Sequence, residues 1–349
     1  MGDVRDSFCS KRYRRGLLGR AWERVRLWRS LDAGALDGLI NKFETSHREI
    51  EALLRIRNSP PQLISPLELK TQDGYELENR CRALTNPLYL GDHTAICRIL
   101  GSYKLYVDTS DTGFSSHVLL DGYWEMWLTI FFARHLQPGM TVIDVGANFG
   151  YYTLLFGALV GESGHVYAVE PNPAVAAKLR RSVNLNGLTR RTTIVEAAAG
   201  STHGRKVTLY VPHGEPKNAR IIASPRMVSL DLGTVHDVTE ISLDEVATAA
   251  PRIDFLKIDV EGSEEAVIAG LMRILTRDRP GLVLEFNAGR YSDARGFVDK
   301  LQAIYSRMSY IDYQANIVPI TASQVISDRR GEDWLLYFDP APALVEAES

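Results

Sequence analysis

Thr141-Val-Ile-Asp-Val-Gly-Ala-Asn-Phe-Gly-Tyr-Tyr-Thr153 is the stretch whose reading decides the fold. Residues 141–145 form a short apolar run rich in β-branched side chains, the pattern of a buried strand. Gly146 and Gly150 bracket a tight turn, since glycine lets the backbone bend sharply and approach a ligand with no Cβ in the way. A helix then starts at Tyr151, and its first amides point back at the turn, which suits a carboxylate. Asp144, at the strand's end, is placed to accept a bond from an ammonium group or to orient the loop. A dinucleotide fingerprint requires G-x-G-x-x-G, and here Asn148 stands in place of the second glycine. A pyrophosphate would press against that side chain, whereas a nucleoside ligand without phosphates would not.

The same strand–helix alternation continues outward from this segment. Strands are expected at 141–145, 165–170, 192–197, 253–259 and 281–286, with helices at 151–160, 173–186 and 263–275. Short apolar strands separated by helices predict an α/β fold with a parallel sheet covered on both faces. The alternation breaks over 204–246, which reads as a hairpin (206–211, then 227–231) followed by a short helix at 243–249. A helix at 293–307 and two further strands, 309–313 and 333–338, bring the count to seven, ending in a hairpin. That plan differs from the two mirrored halves of a dinucleotide dehydrogenase. Upstream, 95–100 and 104–107 read as short strands and 123–136 as a helix. Residues 32–57 carry apolar residues at helical spacing, closed by Asn58-Ser59-Pro60-Pro61. The expected organisation is a basic N-terminal extension with helix and connector (1–92), a catalytic domain (93–340) and a short tail (341–349).

Acids gather at the strand ends. Glu170 closes Val166-Tyr-Ala-Val-Glu, about twenty residues beyond Gly150, where an acid accepts ribose hydroxyls in nucleoside-binding folds. Phe255-Leu-Lys-Ile-Asp259-Val-Glu261-Gly262 ends in two carboxylates, and Gly281-Leu-Val-Leu-Glu285-Phe-Asn287 in another. Ligands of open α/β sheets bind beyond the carboxyl ends of the strands, so Asp144, Glu170, Asp259, Glu261 and Glu285 should share one rim. Like charges so close are costly unless they meet a cation or raise their pKa values. Lys257 is one such cation, and helix capping by Glu261 is the plainer alternative for that residue.

The segments VIDVGANFGYYT, VYAVEPNP, ISLDEV and DFLKIDVEGSEEAVIAG, with the preceding DGYWE, resemble the FkbM-type methyltransferase family over residues 99–340. The resemblance implies a class I methyltransferase (Rossmann-like) fold, a seven-stranded mostly parallel sheet, S-adenosyl-L-methionine (SAM) as cofactor, and O-methylation of a sugar, glycolipid or secondary-metabolite hydroxyl. By motif position it implies that Asp144, Gly146, Asn148, Gly150, Glu170 and Asn172 hold SAM. It further implies that Ala197 flanks the adenine, that Glu125 reaches the methionine end, and that Asp259 and Glu261 face the transfer site. Residues 1–90 lie outside it.

Transfer of a methyl group to a hydroxyl calls for a general base within hydrogen-bond reach. Glu261 and Asp259 are the first candidates and Glu285 the third, with no metal required. The alternative, Mg²⁺ on Asp259, Glu261, Glu285 and Asn287, has suitable oxygen ligands. A nicotinamide oxidoreductase is disfavoured by Asn148 and by the order of elements; a non-catalytic scaffold would leave the rim acids without a task.

Bulk properties narrow the setting. A formal net charge of −3 gives no field that demands nucleic acid. The scattered cysteines, Cys9, Cys81 and Cys97, form no CxxC pair and fit a reducing compartment. No apolar run long enough for a membrane span or a secretory signal is present, so a cytoplasmic location is expected. Residues 1–30 are rich in arginine with interleaved apolar residues. They read as a solvated basic tail or as a segment capable of weak peripheral contact with anionic lipid.

Overall fold

The computed structural model describes residues 38, 41–48, 50, 62–229, 231–328 and 331–339. The basic stretch 1–30, most of the helix expected over 32–57, and the tail 341–349 lie outside the described residues. Within that stretch, 41–48 are helical and exposed, with an Arg48–Glu44 ion pair at 3.4 Å. The chain divides into two compact units, residues 1–62 and 63–349.

The second unit opens with helices α1 (Pro66–Thr71) and α2 (Gly74–Leu84). Ser65 and Glu68 close a reciprocal capping box on α1, and Asp73 caps α2 by accepting from the Tyr75 and Glu76 amides. An antiparallel sheet follows, built from β1 (Leu88–Gly91), β2 (Thr94–Ile99) and β3 (Tyr103–Asp108). The division expected at 92/93 therefore falls inside this unit. Ile64, Leu69, Leu77 and Cys81 are buried in the same core as Ile99 and Val107. The Ser102 hydroxyl also donates to the Ile64 carbonyl at 2.6 Å. A chain starting at Leu63 is accordingly expected to fold, with its thermal midpoint within a few degrees of full length. Loss of cooperative melting in that shortened chain would show that residues 1–62 are structurally required.

Helices α3 (Phe114–Asp121) and α4 (Met126–His135) lead into the main sheet. It uses β4 (Thr141–Val145), β5 (His165–Val169), β6 (Thr192–Val195), β11 (Phe255–Ile258), β12 (Gly281–Phe286), β13 (Met308–Ile311), β14 (Ile317–Pro319) and β15 (Trp334–Phe338), in the order β14-β13-β15-β12-β11-β4-β5-β6. All seven expected strands are present. The eighth, β14, is a short exposed arm paired antiparallel to β13. Pairing from β6 through β12 is parallel and β15 is antiparallel, the arrangement of a class I methyltransferase.

Helices α5 (Tyr151–Leu159) and α6 (Pro173–Leu185) connect the first three of these strands. Helices α8 (Glu264–Ala269), α9 (Met272–Asp278) and α10 (Ala294–Gln302) belong to the later crossovers, after the four-residue α7 (Leu243–Val246) and before α11 (Ala322–Ser327). The period-two pleat sorts the strand side chains between two cores. Val142, Val166 and Ala168 pack with Leu154, Phe156 and Leu179. Ile143, Val145 and Val169 pack with Leu256, Ile258, Ile268 and Leu284. Burial on both faces explains why these strands read as continuous apolar runs.

Between β6 and β11 the chain forms a smaller sheet, β7-β10-β8-β9, from β7 (Ala198–Ala199), β8 (Lys206–Pro212), β9 (Arg220–Ile222) and β10 (Gly233–Ile241). The expected hairpin partner at 227–231 is displaced. Residues 225–227 form a 3₁₀ turn that Pro225 opens, and the long strand paired with β8 starts at Gly233. We call this unit the cap sheet.

Candidate active site

The chain runs from β4 outward to β6, then returns to β11 on the other side of β4. A crevice opens at such a reversal, beyond the carboxyl ends of the strands. The turn after β4 and the end of β11 meet there closely. A Cβ built on Gly146, whose φ is +78°, would stand 1.8 Å from the Asp259 carbonyl oxygen. Only glycine fits that position.

A cavity of about 310 Å³ occupies the crevice. Of the residues expected from the sequence, Glu125, Gly146, Asn148, Glu170, Asp259, Glu261 and Glu285 line it. Asp144, Gly150, Asn172 and Ala197 do not. Asp144 is fully buried beneath the turn, where its carboxylate accepts the Thr153 hydroxyl at 2.6 Å and faces Lys257 at 3.8 Å. There it ties the end of β4 to the start of α5. Gly150 turns at φ +101° against Leu179. Asn172 caps α6, its side-chain oxygen accepting from the Ala174 amide at 3.1 Å. Ala197 is packed in the core beside Val169, and Ala198 and Ala199 form the wall in its place.

Glu170 is held by both oxygens. Oε2 accepts the Asn148 amide at 2.9 Å and Oε1 the Asn172 amide at 2.9 Å. A carboxylate has about four lone-pair sites, so two remain for a ligand. Burial pushes its pKa up to about 7, against the two amides that pull it down. Asn148, at φ +51°, supports the turn by accepting the Phe149 amide on its own side chain at 2.9 Å. Asparagine tolerates this left-handed conformation better than most residues.

The remaining acids are arranged around two cations. Lys257 is buried, with Nζ 3.2 Å from Asp259 and 5.1 Å from the Tyr152 ring centroid. Burial works against its charge, but Asp259 and Asp144 outweigh it and raise its pKa. Arg290 reaches Glu285 at 3.0 Å, Glu261 at 3.1 Å and Asp333 at 3.2 Å. Burial and the neighbouring carboxylates raise Glu261, and they push Glu285 up to about 9. Glu125 is raised by burial and accepts the Tyr152 hydroxyl at 2.7 Å. Glu125 and Glu261 both sit in the left-handed region, at φ +40° and +53°. Strain of this kind persists where surrounding structure enforces it, and it clusters at functional sites.

Several lining residues were not legible in the sequence. Phe114, Trp124, Tyr151 and Tyr152 supply an aromatic wall, and Lys217, Arg220 and Ile221 enter from the cap sheet. Arg290, only five residues beyond Glu285 and opposite Asp333 across the sheet end, was within reach of a charge-pairing argument.

Comparison with known proteins finds methyltransferases. Residues 144–314 match the family model of the methyltransferase FkbM domain. Over those residues the chain is similar to FkbM-type methyltransferases. The 31-O-demethyl-FK506 methyltransferase FkbM of Streptomyces tacrolimicus is 29% identical over 177 residues, covering 43% of this chain and 67% of that protein. A tRNA wybutosine-synthesizing protein 2 homolog from Danio rerio is 28% identical over 38% of this chain and 29% of its own length. A protein-L-isoaspartate O-methyltransferase from Methanothrix thermoacetophila is 44% identical over 14% of this chain and 23% of its own length. The chain thus spans less than a third of the length of these last two relatives. Among solved structures, methyltransferase FkbM from Methylobacillus flagellatus aligns at a TM-score of 0.36 with 16% identity, over 61% of this chain and 53% of that one. The family implies SAM as methyl donor. The residues present fit it: Glu170 lines the cavity and, with one backbone amide on each oxygen, would have lone pairs left for ribose hydroxyls. Among the described residues no helix is long and apolar enough to cross a membrane.

Proposed function

We propose that this FkbM-type domain O-methylates a hydroxyl on a sugar, glycolipid or other secondary-metabolite acceptor, with SAM as donor. The observation that carries the reading is the single cavity wall shared by the Gly146 turn and Glu170 on one side and Asp259, Glu261 and Glu285 on the other. SAM, when bound, supplies an electrophilic methyl group on a sulfonium. Gly146, Asn148 and Glu170 would hold its nucleoside, and Glu125 its amino-acid end.

Glu261 is the proposed base. Burial raises its pKa toward the range in which a carboxylate removes a proton near neutrality. Arg290, 3.1 Å away, orients it and balances its charge. Asp259, tied to Lys257, is the next candidate. Glu285, raised by burial and by its carboxylate neighbours and held by Arg290 at 3.0 Å, is the third candidate. Arg290 and Lys257 already supply positive charge among these acids, so we assign no metal. Turnover is therefore expected to survive EDTA. Loss of activity restored by Mg²⁺ would instead put an ion among Asp259, Glu261 and Glu285, whose oxygens lie within 4.8 Å of one another.

Glu170 gives a pH signature. Its ionised form accepts ligand hydroxyls, and in the empty site its pKa is about 7. Below that value a proton must leave before the ligand is held. SAM affinity is thus expected to rise with pH up to about 7 and to level off above it. Glu170→Gln should flatten this profile and weaken binding by on the order of 1.5–3 kcal/mol, the worth of hydrogen bonds to a charged group. A steep profile retained in a folded Glu170→Gln protein would move the titrating group elsewhere. The acceptor class is tested by incubating the protein and tritiated SAM with extracted cell glycans and glycolipids, followed by linkage analysis. Label in an ether-linked methyl supports the reading, and label confined to nitrogen or carbon overturns it.

A further inference from the structure

The cations around the cavity are of two kinds. Lys257 and Arg290 are each matched to carboxylates at 3.0–3.2 Å. Lys217 and Arg220 also line the cavity, yet among the described residues neither has a carboxylate within 4 Å. Both come from the short cap-sheet segment 216–222, so they stand on one patch of wall.

That segment is held in place. The Thr112 amide and hydroxyl both donate to the Gly214 carbonyl, at 2.9 and 3.2 Å, tying the cap loop to the start of α3. The Lys217 stem lies against Gly113, where an added Cβ would meet its Cε at 2.8 Å. The Arg220 guanidinium stacks 5.0 Å from the Tyr210 ring centroid, which fixes its plane while leaving its N–H donors free. Lys217, half-buried, and Arg220, exposed, have no carboxylate at ion-pair distance and together give this stretch of cavity wall a positive charge complementary to an anion. The carboxylates whose fields reach Lys217, those of Glu125 and Glu261, each have another partner. Glu261 is itself paired with Arg290 at 3.1 Å, and Glu125 accepts the Tyr152 hydroxyl at 2.7 Å.

We propose that Lys217 and Arg220 recognise an oxyanion, a carboxylate or a phosphate, on the methyl acceptor. The hydroxyl that is methylated would then belong to an acidic or phosphorylated sugar-like molecule rather than a neutral one. This rests on the methyl-transfer reading above and narrows its acceptor class. SAM carries one carboxylate, and two unpaired cations exceed what it needs.

The test uses full-length wild type, Lys217→Met, Arg220→Met and the double variant. S-adenosylhomocysteine is first titrated by calorimetry; absence of binding to wild type would defeat the methyl-transfer reading itself. With that ligand saturating, inorganic phosphate, glucose 6-phosphate, glucuronate and glucose are titrated in turn. Saturable binding of the charged probes, at least about tenfold tighter than glucose, is expected. It should weaken at least about tenfold in the double variant and with rising salt, while S-adenosylhomocysteine affinity stays within about threefold. A preference for glucose 6-phosphate over glucuronate assigns the anion as phosphate, and the reverse as carboxylate. Equal binding of glucose, no saturable binding of any charged probe, or a loss confined to S-adenosylhomocysteine would overturn the proposal.

Discussion

Glu261→Gln is expected to lower turnover by roughly 10²-fold or more, the usual contribution of a positioned general base, while SAM affinity changes only a few fold. The two effects separate because Glu261, paired with Arg290, lies on the proposed acceptor side of the cavity, whereas the proposed nucleoside contacts fall to Gly146, Asn148 and Glu170. Glutamine keeps the shape and can still accept a bond from Arg290, so the melting temperature should hold. Tritiated-SAM turnover and calorimetric binding on the same preparation check both halves. Turnover near wild type in a folded protein would transfer the role of base to Asp259, with Glu285 next.

Gly146→Val should abolish SAM binding. The new Cβ would overlap the Asp259 carbonyl oxygen at 1.8 Å, and that oxygen belongs to backbone, which cannot swing aside as a flexible side chain can. The left-handed φ of +78° adds roughly 1–2 kcal/mol for any residue with a Cβ. Relief requires β4 and the end of β11 to part, which opens the wall that also carries Asp259 and Glu261. Gly150→Ala offers a graded comparison: its Cβ meets the end of the Leu179 side chain at 2.4 Å, which can move. Calorimetry should show no binding for Gly146→Val and reduced binding for Gly150→Ala. Equal affinities in the two variants would contradict the close-approach argument.

The central fold was legible because its signals are local. Each parallel strand is an apolar run closed by a turn residue, and burial on both faces makes that run continuous. The clustering of Glu170, Asp259, Glu261 and Glu285 followed from one topological rule, since all four sit at or just beyond strand carboxyl ends. Other features depend on contacts remote in sequence. Helix α3 has no side-chain cap of its own: Asp111 instead accepts the Gly113 and Ser115 amides from within the preceding loop, a signal easily read as loop alone. The stretch 59–92 reads as a connector with short helical pieces, being rich in proline, asparagine and polar residues, and its helices are too short to show how they join the core. Only Leu69, Leu77 and Cys81 face the core, too few to set a period. Ala197 lies between β6 and β7 and packs into the core, whereas Ala198 and Ala199, just after it, form the wall. Lys217 and Arg220 lie in a loop-rich segment with no periodicity, and only the folded cap sheet brings them to the cavity.

Calorimetric titration of the full chain with SAM, with NAD as the matched control, tests the central claim most directly. The account predicts saturable binding of SAM, strengthening with pH up to about 7 as Glu170 ionises, and no saturable binding of NAD, whose pyrophosphate would press against the Asn148 side chain in the turn. Saturable binding of NAD with none of SAM would contradict it.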